Sequence, residues 1–314
     1  MNRIIPVISQ LPESQQLAWL DQLSTALPEE RFALVETIAQ SARDKIEIAI
    51  VADPDPNILT TFPNLDWVHS LWAGIENLIE IARQQDFNIV RLIDPQLANT
   101  MAESVLTWAL FLHRKIPTYA EQQREKIWQQ QPHCLSNHCN IGILGLGELG
   151  RASAAQLSRH GFKVLGWSQS AKELDNIDCY HGKNGLLEML PRCQILVCLL
   201  PLTENTRGLI DQQLLEQLPD GASVINFSRG AIVNTSDLLA SLNSDKLYHS
   251  VLDVFEQEPL PIENELWCNP KVTVLPHVAA NTNAATALQI IATNIRKYRN
   301  NGSLDSFVNL KKGY

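Results

Sequence analysis

The sequence predicts an α/β protein in which parallel strands are covered by helices on both faces. Short, nearly continuous apolar runs alternate with helical text from about residue 140 onward, which is how strands buried on both faces read. A glycine-rich loop with Gly145, Gly147 and Gly150 follows the first of those runs directly. At 314 residues the chain is comfortable as two domains.

In the first hundred residues, "ESQQLAWLDQLSTAL" (13–27) and "EERFALVETIAQSA" (29–42) carry apolar residues at helical spacing, and both are predicted helices. "IEIAIVAD" (46–53) and "NIVRLID" (88–94) read as strands. "DPDP" (53–56) reads as a loop, because each proline disfavours helix in the residue before it. Residues 101–131 are predicted helical, with Pro117 as a break or kink. Strands are then predicted at 140–147, 163–168, 194–200, 223–228, 248–255 and 272–277, with helical text between most of them. This makes a doubly wound domain that begins near residue 100 and ends near 282. The last helix, 284–300, has no strand text after it and is predicted to return to the N-terminal part.

Composition narrows the function classes. The chain is 45% hydrophobic and 19% charged, with a net charge of −9 and no cluster of Lys and Arg, so nucleic acid is not an expected partner. No stretch is long and apolar enough for a membrane span, and the opening run is too short for a signal peptide. The six cysteines are scattered, two of them in or beside strand text, which fits a cytoplasmic protein with free thiols. His133, Cys134, His138 and Cys139 crowd into "HCLSNHC", but zinc sites usually join two such pairs across a longer loop. A polar connector is expected there, and no metal.

The G-x-G-x-x-G pattern is weak alone. Lying after a strand and opening a helix, it becomes a dinucleotide fingerprint. Gly145 would make the tight turn, Gly147 would let backbone approach a pyrophosphate, and Gly150 would let helix pack on strand. The amides of Glu148 and Leu149 would face the phosphates, with the Glu148 carboxylate turned outward. Eighteen residues after Gly150, where an acid usually holds the adenosine ribose, stand Ser168 and Gln169, with Lys172 close behind. Removing the acid removes its repulsion of a 2′-phosphate, so NADPH is the expected cofactor, with NADH possible.

Three later segments each put a functional group at a predicted strand end, the edge where open α/β sheets hold ligands. Arg229 offers a planar fork of donors suited to a carboxylate, or alternatively a surface salt bridge. His277 follows Pro276, and a carboxylate beside it would orient the ring and favour its protonated form for acid–base work. Asp253, Glu256 and Glu258 lie in the segment between.

"GLGELG", "PLTENTRGLI", "FSRGAIVN", "LDVFEQEPLP" and "LPHVAANT", in this order and spacing, resemble the D-2-hydroxyacid dehydrogenase family, and within it the glyoxylate/hydroxypyruvate reductase branch. The resemblance covers nearly the whole chain and is thinnest over residues 1–60. It implies two doubly wound, Rossmann-like domains, with a dinucleotide-binding domain (101–282) inserted into a substrate-binding domain (1–100 and 283–314). It implies that Arg229 binds a small 2-oxoacid, that His277 exchanges the proton, and that Glu258 hydrogen-bonds His277. It places Asp253 near the nicotinamide carboxamide, and Leu200, Pro201 and Thr206 along the cofactor. Ala73 and Gly74 correspond to a loop whose amides bind the substrate carboxylate, and Trp72 either narrows that pocket or is a core aromatic. A homodimer is implied, with Trp128 at a position that can reach the partner subunit. D-lactate and phosphoglycerate dehydrogenases are the alternative activities, and a cofactor-sensing corepressor is the alternative class.

Overall fold

The first strand, β1 (Ile4–Ser9), lies in text that does not read as a strand, yet its four central residues are buried. Along the chain follow α1 (Glu13–Ala26), β2 (Arg31–Leu34), β3 (Ile48–Ala52), the short α2 (Pro56–Leu59), β4 (Trp67–Ser70), α3 (Glu76–Gln85) and β5 (Asn88–Val90). The computed structural model describes residues 3–304, 306–311 and 313. It divides into two units, Met1–Gln96 with Thr282–Tyr314, and Leu97–Asn281.

In the first unit the five strands form one parallel sheet in the order β2-β1-β3-β4-β5. Its two faces feed separate cores. Along β3, Ile48, Ile50 and Ala52 join one cluster while Ala49 and Val51 join the other, the period of two expected for a strand. This alternation corrects the helix predicted over 29–42. Residues 31–34 pair with β1 as an edge strand, and two 3₁₀ turns follow. Phe32 packs on one face of the sheet, whereas Val35 and Ile38 pack on the other. A single helical stripe could not have served both.

α4 (Pro95–His113), whose first two residues precede the division, leads into the second unit. There follow α5 (Ile116–Glu125), β6 (Asn140–Leu144), α6 (Glu148–Arg159), β7 (Lys163–Ser168), β8 (Asp178–His181), α7 (Gly182–Met189), β9 (Ile195–Cys198), α8 (Gln212–Gln217), β10 (Ala222–Asn226), α9 (Thr235–Asn243), β11 (Leu247–Leu252) and β12 (Val272–Val274). The helix predicted over 101–131 is broken before Pro117, at Lys115, which is left-handed (φ 54°). Pro117 sits in the first turn of α5, where its missing N–H is no loss. Lys126 is left-handed again (φ 60°) and ends α5, so 127–131 is not helical.

The seven strands of this unit are all parallel, in the order β12-β11-β10-β9-β6-β7-β8. Leu186, Leu214 and Leu238, from α7, α8 and α9, pack on one face; Val105 and Leu157, from α4 and α6, pack on the other. The sheet is therefore doubly wound, and its strand order reverses between β6 and β9.

The last helix, α10 (Ala284–Asn301), is capped by Asn283, whose side chain accepts from the amides of Ala285 and Thr286. Its buried Ile291, Ala292 and Ile295 pack with Leu23 of α1 on the first unit's sheet. No helix among the described residues is long and apolar enough to cross a membrane.

Candidate active site

The glycine loop lies at the reversal of strand order, where open α/β sheets form their ligand crevice. Gly145 has φ +103°, and a Cβ there would stand 2.8 Å from the Leu199 carbonyl oxygen, in the loop after the neighbouring β9. At Gly150 a Cβ would fall 1.8 Å from the Gly145 carbonyl oxygen, because α6 packs directly on the loop. Gly147 differs: a Cβ there would meet nothing within 4 Å. Gly147 is also the N-cap of α6 and supplies no side-chain cap, so open space lies before a helix N-terminus with amides to offer. A pyrophosphate fits this chemistry. The Glu148 carboxylate is turned aside to pair with Arg151 on the exposed face of α6.

Beyond β9, Leu200 lies against Gly145. The Thr206 hydroxyl donates to the Pro201 carbonyl (2.7 Å) and accepts from the Thr203 amide (2.8 Å), folding this loop on itself. Ser168 ends β7, buried, and donates to the Ser170 carbonyl at 2.8 Å. Gln169 and Lys172 are exposed just beyond it. The register of β7 with β8 sets His181 opposite Ser168, a neighbour that sequence reading missed because the half-exposed "DCYH" of β8 has no apolar run.

The strand ends of β10, β11 and β12 lie side by side, and each carries a predicted residue. After β10, Arg229 is partly buried and its Nη1 donates to the Ser228 carbonyl (2.7 Å). The next residue must be glycine, since a Cβ at Gly230 would lie 1.9 Å from the carbonyl carbon of Phe255. After β11, Asp253 is buried, and its carboxylate accepts from the amides of Val278 (2.7 Å) and Ala279 (2.9 Å). Burial pushes its pKa up, against the opposing pull of those two amides and of nearby His277. Glu258 accepts from the Phe255 amide (2.9 Å) through one oxygen and contacts His277 Nδ1 (2.7 Å) through the other. A carboxylate on Nδ1 makes that nitrogen the donor and leaves Nε2 as the ring nitrogen that can exchange a proton. The imidazole is about half exposed (52%), and its backbone amide donates to the Asp253 carbonyl (2.9 Å).

Residues 106–279 match the NAD binding domain of D-isomer specific 2-hydroxyacid dehydrogenases, a match that takes in the glycine loop and all three strand ends. The chain belongs to that family. A D-isomer specific 2-hydroxyacid dehydrogenase from Xanthobacter autotrophicus, in complex with NADPH and MES, is 35% identical over 100% of both chains, with a TM-score of 0.92. An NADPH-dependent glyoxylate/hydroxypyruvate reductase from Sinorhizobium meliloti, in complex with NADP and sulfate, is 30% identical over 99% of both, with a TM-score of 0.90. A probable 2-hydroxyacid dehydrogenase from Rhizobium etli, in complex with NADP, HEPES and L(+)-tartaric acid, is 29% identical over 99% of this chain and 100% of that one, with a TM-score of 0.89.

In the first unit of this 2-hydroxyacid dehydrogenase, Trp72 and Ala73 lie in the bend after β4 and Gly74 follows it, all three partly buried. Trp72 packs against the cluster around Ile5 and Trp67, its amide donating to Ser70 Oγ (3.0 Å) and its carbonyl accepting from Leu92 (3.1 Å). Trp128 follows α5 in the second unit and is fully exposed. Of the crowded cysteines, Cys134 is exposed and Cys139 buried, its thiol pushed up to about 12 by burial. Among the described residues no group of three or more His, Cys, Asp or Glu could hold a metal.

Proposed function

We propose that this dehydrogenase reduces small 2-oxoacids, glyoxylate and hydroxypyruvate, using NADPH in preference to NADH. The observation that carries the reading is the Glu258–His277 contact at 2.7 Å, on the same sheet edge as the turn bearing Arg229. Bound nicotinamide would supply a hydride to the C2 carbonyl of the substrate. The Arg229 guanidinium holds the substrate carboxylate and draws density toward the carbonyl oxygen. Nε2 of His277 gives that oxygen its proton, and Glu258 keeps the ring in register and offsets the imidazolium charge. Asp253 would hold the carboxamide end of the cofactor; Gly145, Gly147 and Gly150 with the amides of Glu148 and Leu149 would take the pyrophosphate; Leu200, Pro201 and Thr206 would line the path between. Residues 1–100 with 283–314 bind substrate through Trp72, Ala73 and Gly74, while 101–282 bind cofactor.

The cofactor preference is supported by the lack of any carboxylate from Ser168 to Lys172 and by the NADPH named for the two similar proteins from Xanthobacter and Sinorhizobium. The substrate preference is supported by the reductase from Sinorhizobium. The fully exposed Trp128 supports a homodimer. A panel of 2-oxoacids assayed with NADPH and NADH, followed by nicotinamide absorbance, tests the proposal. The highest kcat/KM is expected for glyoxylate or hydroxypyruvate with NADPH. A higher kcat/KM with NADH refutes the cofactor preference, and a higher value for pyruvate refutes the substrate assignment.

A further inference from the structure

One run of hydrogen bonds ties the three strand ends, and it starts at a residue with no assigned role. Asn226 is the last residue of β10 and is fully buried. Its Nδ2 donates to the Arg229 carbonyl (3.0 Å), and its Oδ1 accepts from the Ser228 amide (3.2 Å). The two bonds close the turn on which Arg229 stands. The Asn226 backbone carbonyl accepts from the Asp253 amide (3.1 Å), and the Asp253 carbonyl in turn accepts from His277 (2.9 Å). The Ser228 hydroxyl donates to the Leu200 carbonyl, tying the same turn to the end of β9.

We propose that Asn226 is a positioning residue whose carboxamide fixes the Arg229 peptide, and so the aim of the guanidinium at the substrate carboxylate. The proposal rests on the role given to Arg229 above. The position needs one donor and one acceptor on a short, uncharged side chain. Aspartate would bring an oxygen against the Arg229 carbonyl oxygen, and alanine would leave the buried Ser228 amide and the Arg229 carbonyl without these partners. A bidentate fork depends on its angle of approach, so a small displacement of its base reduces substrate binding more than it affects the cofactor.

The test compares Asn226→Ala in the wild-type and Arg229→Lys backgrounds, with glyoxylate and NADPH as probes. In the wild-type background the KM for glyoxylate should rise about tenfold, the equivalent of one well-made hydrogen bond. The Kd for NADPH, read by nicotinamide fluorescence, should stay within about twofold. Lysine is a flexible point charge that needs less aiming, so in the Arg229→Lys background the same change should cost under about twofold in KM. Equal costs in both backgrounds, or an unchanged KM with a native circular dichroism spectrum, overturn the proposal. If Asn226→Ala does not fold, Asn226→Asp keeps the volume and the Ser228 bond and is judged by the same comparison. Should Arg229→Lys itself leave the glyoxylate KM at the wild-type value, the role of Arg229 fails instead, a different result from failure at Asn226.

Discussion

A half-exposed imidazole is useful for proton transfer only if something other than packing holds it. At His277, whose backbone is left-handed (φ 55°), two contacts do so: its amide is held by the Asp253 carbonyl, and Nδ1 is held by Glu258. Replacing the ring should therefore remove chemistry and spare binding. His277→Ala is expected to lower kcat by about 10²–10⁴-fold while the Kd for NADPH stays near wild type. Arg229→Ala should raise the KM for the 2-oxoacid and lower kcat together, because in the proposed mechanism the guanidinium would act on the substrate in both ground and transition states. Steady-state kinetics on the two variants separate these patterns, and near-full activity in either removes its residue from the mechanism. Arg229 and His277 stood out in the sequence as conspicuous groups at predicted strand ends, whereas Glu258 was distinguished from Asp253 and Glu256 only by the family resemblance, and its contact with His277 is visible only in the fold. Asn226 did not stand out. It sits inside "VINFS", reads as one more strand residue, and its partners are backbone atoms two and three residues away and just past the end of the next strand. Hydrophobic periodicity carries no information about such bonds.

At the scale of the element, the glycine loop separates folding from binding. Gly150 is required by packing, since a Cβ there would overlap backbone, whereas Gly147 faces open space with φ −75°, which any residue can adopt. Gly150→Ala should cost about 1–3 kcal/mol or more, as overpacking against backbone does. Gly147→Ala should stay within about 1 kcal/mol of wild type, the usual range for an N-cap change, yet raise the Kd for NADPH by placing a methyl group in the open space proposed for the pyrophosphate. Urea denaturation and cofactor titration on the two variants check this, and comparable destabilisation in both would mean that Gly147 is a packing residue. The loop was readable because Gly145 and Gly150 meet local steric demands within one turn. Some strands were harder to read, at sheet edges and inside a sheet alike. β2 was read as helix because Phe32, Val35 and Ile38 are spaced by three, although the sheet divides them between two faces. β1 and β8 were overlooked, the first interrupted by Pro6 and the second only partly buried. Pairing with a neighbouring strand, which is non-local, decided all three.

Across the whole molecule, burial lowers the pKa of three histidines, His69, His113 and His249, and the two most enclosed, one in each unit, are expected to carry most of the sensitivity to acid. His69, on β4, donates from Nδ1 to the Ser70 carbonyl (2.8 Å) and accepts at Nε2 from Asn294 of α10 (3.0 Å), a pattern that only the neutral ring satisfies. His249, on β11, contacts the Thr273 hydroxyl through Nε2 (2.9 Å). Burial lowers the pKa of each to about 4, against about 6.5 in an unfolded chain. Below pH 6.5 the unfolded chain therefore binds protons that the fold refuses until about pH 4. The stability these histidines contribute is complete above 6.5 and is lost as the pH falls through that window, by about 3 kcal/mol for each. Asp253 has the opposite sign. Its raised pKa makes ionisation in the fold unfavourable as pH rises, so it is no source of acid lability between 6.5 and 4. The urea midpoint should accordingly decline between pH 6.5 and 4, and His69→Gln and His249→Gln should each flatten that decline, even where the variant is less stable at neutral pH. Glutamine cannot titrate, so a double variant that keeps the full wild-type slope would show that the acid response comes from other groups.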